Sequence, residues 1–483
     1  MSSSARAIKS SAQASRSKGR SSSGRNTDKL PVVTTRPLPG TVLCMALVGL
    51  AMVLGGGGTV NPLTEMILQV LTALIMIPLI ASSGWQRGLG PVQAPAFILA
   101  GLILLIPVLQ LVPLPPSIWQ ALPGRSVEIQ SIALIQADKS WMPLTMSPAR
   151  TFASLLAMIC PALLLLQVSR LSLRGRNWLC MVVVGVAALS VMLGVLQLSR
   201  TAGFEWSLYS QFSQGFLVGF QANRNAQADI LLAAILATGV IATSRLGDGR
   251  HHVLTWTGMI MAISAFLVGL FMTGSRTGIT LSAISLLFVG FMLWPMLRKR
   301  AAVVYGLAGA VGLMIISGGL LLQLQSVQKV IGRFSLAHEA RWDLWADTWY
   351  AIGQVWPYGS GIGTIVPMLE AAERLEVVDA TRPVRAHNDW LEWMLEAGLP
   401  GIIVLGLILL FVLYLAARAI ISVSKPDASA SRRAQVQFSI GFLLIEALHA
   451  IVDYPMRSMS LAAIAAVAVA MLLNPAAPQR SHQ

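Results

Sequence analysis

Residues 385–401, RAHNDWLEWMLEAGLPG, gather His387, the carboxylates Asp389, Glu392 and Glu396, two tryptophans and two glycines. A histidine can accept a proton from a hydroxyl near neutral pH. If 386–397 is helical, His387, Trp390, Leu391 and Met394 share one stripe, and Asp389, Glu392 and Glu396 share another. Gly398 then falls at the C′ position, and Pro400 sits where a new helix can begin. The stretch reads as a short outer helix that turns sharply into a membrane-like segment. A hydrogen-bonded structural role for His387 is the competing reading. The acids suit a solvated or Arg-paired face better than a metal site.

Arginines supply the second kind of chemistry. QANRNAQAD (221–229) puts Arg224 between two asparagines, and TGSRTG (273–278) puts Arg276 in a glycine-flanked turn. HEARW (338–342) contributes Arg341, and DYPMR (453–457) contributes Arg457. Each alone is explained by hydrogen bonds to helix C-terminal carbonyls or by snorkelling to lipid head groups. Four on one face, three of them with little acid nearby, point to an anion site, because guanidinium suits bidentate phosphate recognition. The glycines of WPYGSGIGT (356–364) match a phosphate loop only weakly, so a tight turn at the membrane surface is the reading. Trp342, Trp345, Thr348 and Trp349 fall at helical spacing, a stripe read as packing or an interfacial anchor.

These groups must be held by elements of a particular kind. The chain has 483 residues, 55% hydrophobic and 11% charged, too apolar for a soluble exterior. Apolar runs are centred near residues 47, 71, 101, 160, 188, 234, 263, 287, 311, 409, 446 and 466. Each approaches the roughly 20 residues that span a bilayer. They are continuously apolar, so they predict helices rather than barrel strands. With an inner N-terminus, the inner segments hold 22 of the 35 Lys and Arg but only Asp28, Asp248 and Asp427 among the acids. The net charge of +15 therefore reads as the positive-inside bias and excludes nothing but a need for nucleic acid to explain it. Residues 1–37 are rich in Ser, Arg and Lys and read as a disordered inner tail. Pro113, Pro115 and Pro116 stop the third span and open a first outer segment, 113–149. Cys44, Cys160 and Cys180 fall inside spans and show neither metal nor disulfide spacing.

The opening stretch resembles the His-Asn…Leu-Glu…Glu-x-Gly-x-x-Gly signature of the O-antigen ligase and polymerase superfamily. GSRTG resembles its Ser-Arg-(Ser/Thr)-Gly turn, and RWDLWADTWYAIGQVWPYGSGIGT its Arg…Trp…Pro-x-x-Gly-x-Gly segment. The resemblance covers roughly 150–460 and is most specific at 273–278 and 341–401. It implies an all-α polytopic membrane protein of about twelve transmembrane helices with a large periplasmic loop carrying short helices. On that plan 38–322 hold helices one to nine, 323–398 the loop with the catalytic segment, 399–475 helices ten to twelve, and 476–483 a cytoplasmic tail. It also implies a bacterial inner-membrane enzyme with cytoplasmic termini and a periplasmic site. Its donor is a glycan on undecaprenyl pyrophosphate, and its acceptor a hydroxyl of lipid A-core or of another glycan. Neither nucleotide sugar, cofactor nor metal is expected, nor any nucleic-acid partner, and an in-line displacement would invert the anomeric centre. The resemblance suggests His387 as base for the acceptor, Arg276 as a pyrophosphate ligand with Arg224 and Arg341 beside it, and Glu396 and Asn388 in support. Rivals are a polymerase of carrier-linked O-antigen or exopolysaccharide repeats, a protein O-oligosaccharyltransferase, and a transporter. The scarcity of mid-span acids, chiefly Glu65 and Glu446, speaks against the last.

Overall fold

A computed structural model describes residues 36–58, 62–199, 207–247, 252–297, 336–378 and 382–477. The expected ninth span near 311, nearly all of the N-terminal tail, and Arg200, Lys329 and Arg333 lie outside these. Among the described residues the chain is almost wholly helical. In order come α1 (Pro39–Leu54), α2 (Pro62–Ala81), α3 (Ala94–Gln110), α4 (Pro116–Trp119), α5 (Ser126–Leu134), α6 (Pro148–Ser169), α7 (Leu173–Leu198) and α8 (Arg224–Gly247). Then follow α9 (His252–Thr273), α10 (Arg276–Leu297), α11 (Leu336–Val355), α12 (Ile365–Ala372), α13 (Asp389–Val423), α14 (Ala430–His449) and α15 (Met459–Leu472). A two-residue antiparallel ladder, Pro113–Leu114 with Met142–Pro143, frames the first outer segment.

Among the described residues seven helices are long and apolar enough to cross a membrane: α2, α6, α7, α8, α9, α10 and α13. Helices α1, α3 and α15 are apolar but shorter, at 16, 17 and 14 residues. At about 1.5 Å per residue they fall short of a roughly 30 Å hydrocarbon core. The first half of α14 carries Arg432, Arg433, Gln435 and Gln437, which keeps it out of the apolar set. The molecule is thus a multi-pass, all-α membrane protein.

The hub is α8. About 78% of its apolar stretch is buried, against 39% or less for the other six long helices. Its sequence explains this: Ala226, Ala228, Ala233, Ala234, Ala237 and Gly239 keep it thin, so α7, α9, α10 and α14 approach closely. At Gly239 a Cβ would sit 2.8 Å from Met292 Sδ. The first turns of α8 thereby carry Arg224, Asn225 and Asp229 to the end of the bundle.

A second, smaller core lies between α11, α12 and the start of α13. Ala351, Ile352 and Val355 of α11 and Ile365, Val366 and Leu369 of α12 pack with Ala386 and Leu395. Ala386 is fully buried there, so its neighbour His387 is fixed by packing as well as by hydrogen bonds.

Candidate active site

Helix α13 begins at Asp389, not at 386. Asn388 is its N-cap, and its side-chain oxygen accepts from the N–H groups of Trp390 and Leu391 at 3.0 and 3.1 Å. His387 therefore stands outside the helix, off the stripe expected for it, with φ +47°. A left-handed residue other than glycine is uncommon, with histidine among the tolerated types. The preceding residues are held on both sides. Trp345 Nε1 donates to the Ala386 carbonyl at 3.1 Å, and Arg385 Nε donates to the Gly58 carbonyl at 3.0 Å.

The His387 ring meets a partner that the sequence did not single out. Its Nδ1 lies 3.1 Å from Asp453 Oδ1, and the side chain keeps 33% exposure. Tyr454 crosses the ring edge-on at 5.0 Å between centroids. Asp453 also accepts from its neighbour's backbone, Tyr454 N, at 3.0 Å and from Asn225 Nδ2. Burial pushes the Asp453 carboxyl up. The hydrogen bond and charge of His387, with His449 and Asn225, outweigh that and hold it well below the usual carboxylate range. An ionised Asp453 takes the Nδ1 proton as a hydrogen bond, which leaves Nε2 as the basic nitrogen.

The acids of the opening stretch are all paired with arginine, Glu392 and Glu396 buried and Asp389 largely so. Arg457 reaches Asp389 and Glu392 at 3.2 Å each and Glu396 at 2.7 Å. Arg385 adds a second cation to Glu392 at 2.7 Å. Burial disfavours the Arg457 charge, but Glu392, Glu396 and Asp389 more than restore it and raise its pKa. Of the four outer-face arginines, Arg457 is thus committed to protein carboxylates.

The glycine turn 359–363 is likewise occupied by a protein anion. Glu396 Oε1 accepts from Gly363 N at 2.9 Å and from Ile365 N, in the first turn of α12, at 3.1 Å. The other backbone donors go to Val355 O, Leu395 O, Glu396 O and Gln110 Oε1. Gly361 must be glycine: with φ +111°, a Cβ would lie 1.9 Å from Thr145 Oγ1. The turn clasps the kink of α13, where Gly398 at φ +59° would press a Cβ to 2.3 Å from the Pro357 carbonyl. The turn is tight, but Gly359, Ser360, Gly361 and Ile362 are buried, and its N–H groups are taken by protein acceptors, which leaves the weak phosphate-loop likeness no free donors.

Arg224, Arg276 and Arg341 come from the starts of α8, α10 and α11, and the charges of Arg224 and Arg341 bear directly on Arg276. Ser275 Oγ accepts from Gly278 N at 3.2 Å and so caps α10, which orients the turn that carries Arg276. Gly274, at φ +61°, lets that turn pass the Phe216 ring, over which the Arg224 guanidinium stacks at 4.2 Å. Two of the three are tied to the histidine by their neighbours. Arg224 precedes Asn225, which holds Asp453; Arg341 lies one turn from Trp345, which holds Ala386. Other outer arginines are neutralised locally: Arg374 by Asp343 and Asp347, Arg382 by Glu370, Arg125 by Glu128. Among the described residues no three His, Cys, Asp or Glu side chains converge as a metal site.

Asp453, Asn225 and the anchoring role of Trp345 were not read from the sequence. DYPMR drew attention for its arginine, and nothing in its spacing ties Asp453 to a histidine 66 residues earlier.

The model of a family described as O-antigen ligase matches residues 259–406. The match spans Arg276, Arg341, His387, Asn388, Glu396 and the Gly398 kink, and stops short of Arg224, Asp453 and Arg457. No curated protein matches the chain. Over residues 259–406 the chain is thus similar to the O-antigen ligase family, in agreement with the resemblance carried by its motifs.

Proposed function

We propose that the protein transfers a glycan from undecaprenyl pyrophosphate to an acceptor hydroxyl at the periplasmic face of the bacterial inner membrane, as an O-antigen ligase does. The observation that carries this reading is the His387–Asp453 pair, with Nε2 left basic, on the same end of the bundle as Arg224, Arg276 and Arg341. His387 Nε2 takes the acceptor proton as that oxygen attacks the anomeric carbon. Positioned base catalysis of this kind contributes about 10²–10⁴-fold. The bond to pyrophosphate breaks, and the arginines meet the charge that develops on the leaving phosphate. Pyrophosphate leaves readily, so no strong acid is needed there, and the displacement inverts the anomeric centre. Glu396 and Asn388 support the site by fixing the glycine turn and the start of α13. Lipid A-core is the proposed acceptor, and both chain termini are assigned to the cytoplasm.

The test is deletion of the gene followed by electrophoresis of surface glycans, with complementation by wild type, His387→Ala and Arg276→Ala. Carrier-linked polymer beside bare lipid A-core is the outcome for a ligase. Single repeats without long chains would assign the protein to the polymerases instead. Both variants are expected to insert normally and fail to restore transfer. Unchanged glycans on deletion, with the gene expressed, would overturn both readings.

A further inference from the structure

Beneath the His387–Asp453 pair lies a second histidine–carboxylate pair that the transfer step above does not use. His449 Nδ1 meets Asp229 Oδ1 at 2.7 Å, with side chains 1% and 0% exposed. His449 ends α14, and Asp229 occupies the second turn of α8. Glu446 stands one turn before His449 and is also buried. Among the described residues, Asp229 Oδ2, His449 Nε2 and both carboxyl oxygens of Glu446 are buried with no hydrogen-bond partner. A pair kept only for packing would need one donor and one acceptor. Here a further carboxyl and a further ring nitrogen stand open in an apolar bundle, where a lone carboxylate costs several kcal/mol and protonation relieves the cost.

This cluster is continuous with the site above it. Asp453 N donates to the His449 carbonyl at 2.9 Å, so His449 and the partner of His387 lie on one turn of chain. Asp229 and Asp453 line the same narrow cleft, beside Gly56, Gly57 and Gly58. The charges that act on the cluster from neighbouring elements are Asp453, Asp389 of α13 and Arg341 of α11. Asp453 and Asp389 are anions, so their charges oppose ionisation of Asp229 and Glu446. The three side chains do not converge on a metal position. What they can hold is a proton.

We propose that Asp229, His449 and Glu446 form a buried proton-holding site, which receives the proton that His387 removes from the acceptor. This rests on the transfer reading and deepens it. The acceptor O–H bond breaks, its electrons form the new bond to the anomeric carbon, and the electrons of the old bond leave with the pyrophosphate oxygen. The proton arrives on His387 Nε2, Asp453 stays ionised and stabilises the imidazolium, and the imidazolium then loses its proton through a water in the cleft to Asp229. The site returns a proton to solvent before the next turnover. All three residues act through His387 and touch neither donor nor acceptor.

The experiment uses the full chain in lipid nanodiscs. Infrared difference titration is expected to show a protonated buried carboxyl at neutral pH that Glu446→Gln or Asp229→Asn removes and whose titration His449→Asn shifts. Absence of the band in wild type, or its persistence unchanged in all three variants, overturns the proposal. A second arm follows transfer against pH with a carrier-linked glycan donor. His449→Asn keeps a donor near the Nδ1 position but cannot titrate. It is expected to lower turnover about tenfold, with the donor KM unchanged and the pH profile displaced. A folded His449→Asn whose profile superimposes on wild type overturns the proposal. His387→Ala that still transfers would sink the base assignment instead and leave the infrared result standing, so the two failures are told apart.

Discussion

Glu396→Ala tests how the outer segment is held. The carboxylate accepts from Gly363 N at 2.9 Å, Ile365 N at 3.1 Å and Arg457 Nη1 at 2.7 Å. Truncation leaves two buried backbone donors without an acceptor, at about 1–3 kcal/mol each. Arg457 retains Asp389 and Glu392, so its share of the loss is smaller. Opening of the glycine turn should become easier by about 3–6 kcal/mol, or roughly 10²–10⁴-fold in protection. Glu396→Gln keeps an acceptor oxygen for the two N–H groups and loses the charge, so about 1–3 kcal/mol is expected. The assay is amide hydrogen exchange over residues 356–372 in nanodiscs, which reads local opening directly. Equal protection in wild type and Glu396→Ala would refute the argument. Equal losses in Ala and Gln would show that charge, and not the acceptor geometry, holds the turn.

Trp345→Phe removes the N–H that holds the Ala386 carbonyl and keeps most of the ring. Transfer is expected to fall about tenfold, as misplacement of a reacting group does, with the melting temperature lowered, since a buried carbonyl without its donor costs about 1–3 kcal/mol. Gly361→Ala forces a methyl against Thr145 and is expected to lower the melting temperature by several degrees. Gly353→Ala, in α11 with open space around its Cβ position, is expected to be neutral or to gain about 0.5–1 kcal/mol. Asp453 carries the pH dependence. Its folded pKa lies below its unfolded value near about 3.9. Its stabilisation is therefore complete above that unfolded value and is lost as pH falls through the folded one. The melting-temperature gap between wild type and Asp453→Asn should be constant from neutral to about pH 5 and close at lower pH; a gap that widens on acidification would contradict the assignment.

Local chemistry was legible in the residues themselves. Continuous apolar runs imply helices, because in lipid a chain satisfies its own backbone. Pro113 ends α3, Gly398 takes a left-handed conformation where the chain must turn, and the glycine-flanked Arg276 opens a helix. His387 stood out by type and position, and Asn388 through the family resemblance. The helix start was read three residues early, since periodicity shows which residues share a face and not where a left-handed residue interrupts it. Partners were beyond reach. Asp453 lies 66 residues from His387, Arg457 lies 61 from Glu396, and Asn225 lies 228 from Asp453. His449 and Asp229, 220 residues apart, were not joined at all. In a soluble protein the polar face of a helix marks its outside; in a membrane protein lipid and core are equally apolar, so a run of leucine and alanine does not say which face meets a neighbour. The sequence by itself determined the apolar helical runs and the reactive groups they carry. Only the packing of α8, α13 and α14 decided which acid orients His387, which anion fills the glycine turn and which carboxyls are left buried beneath, because those contacts form where separate helices converge.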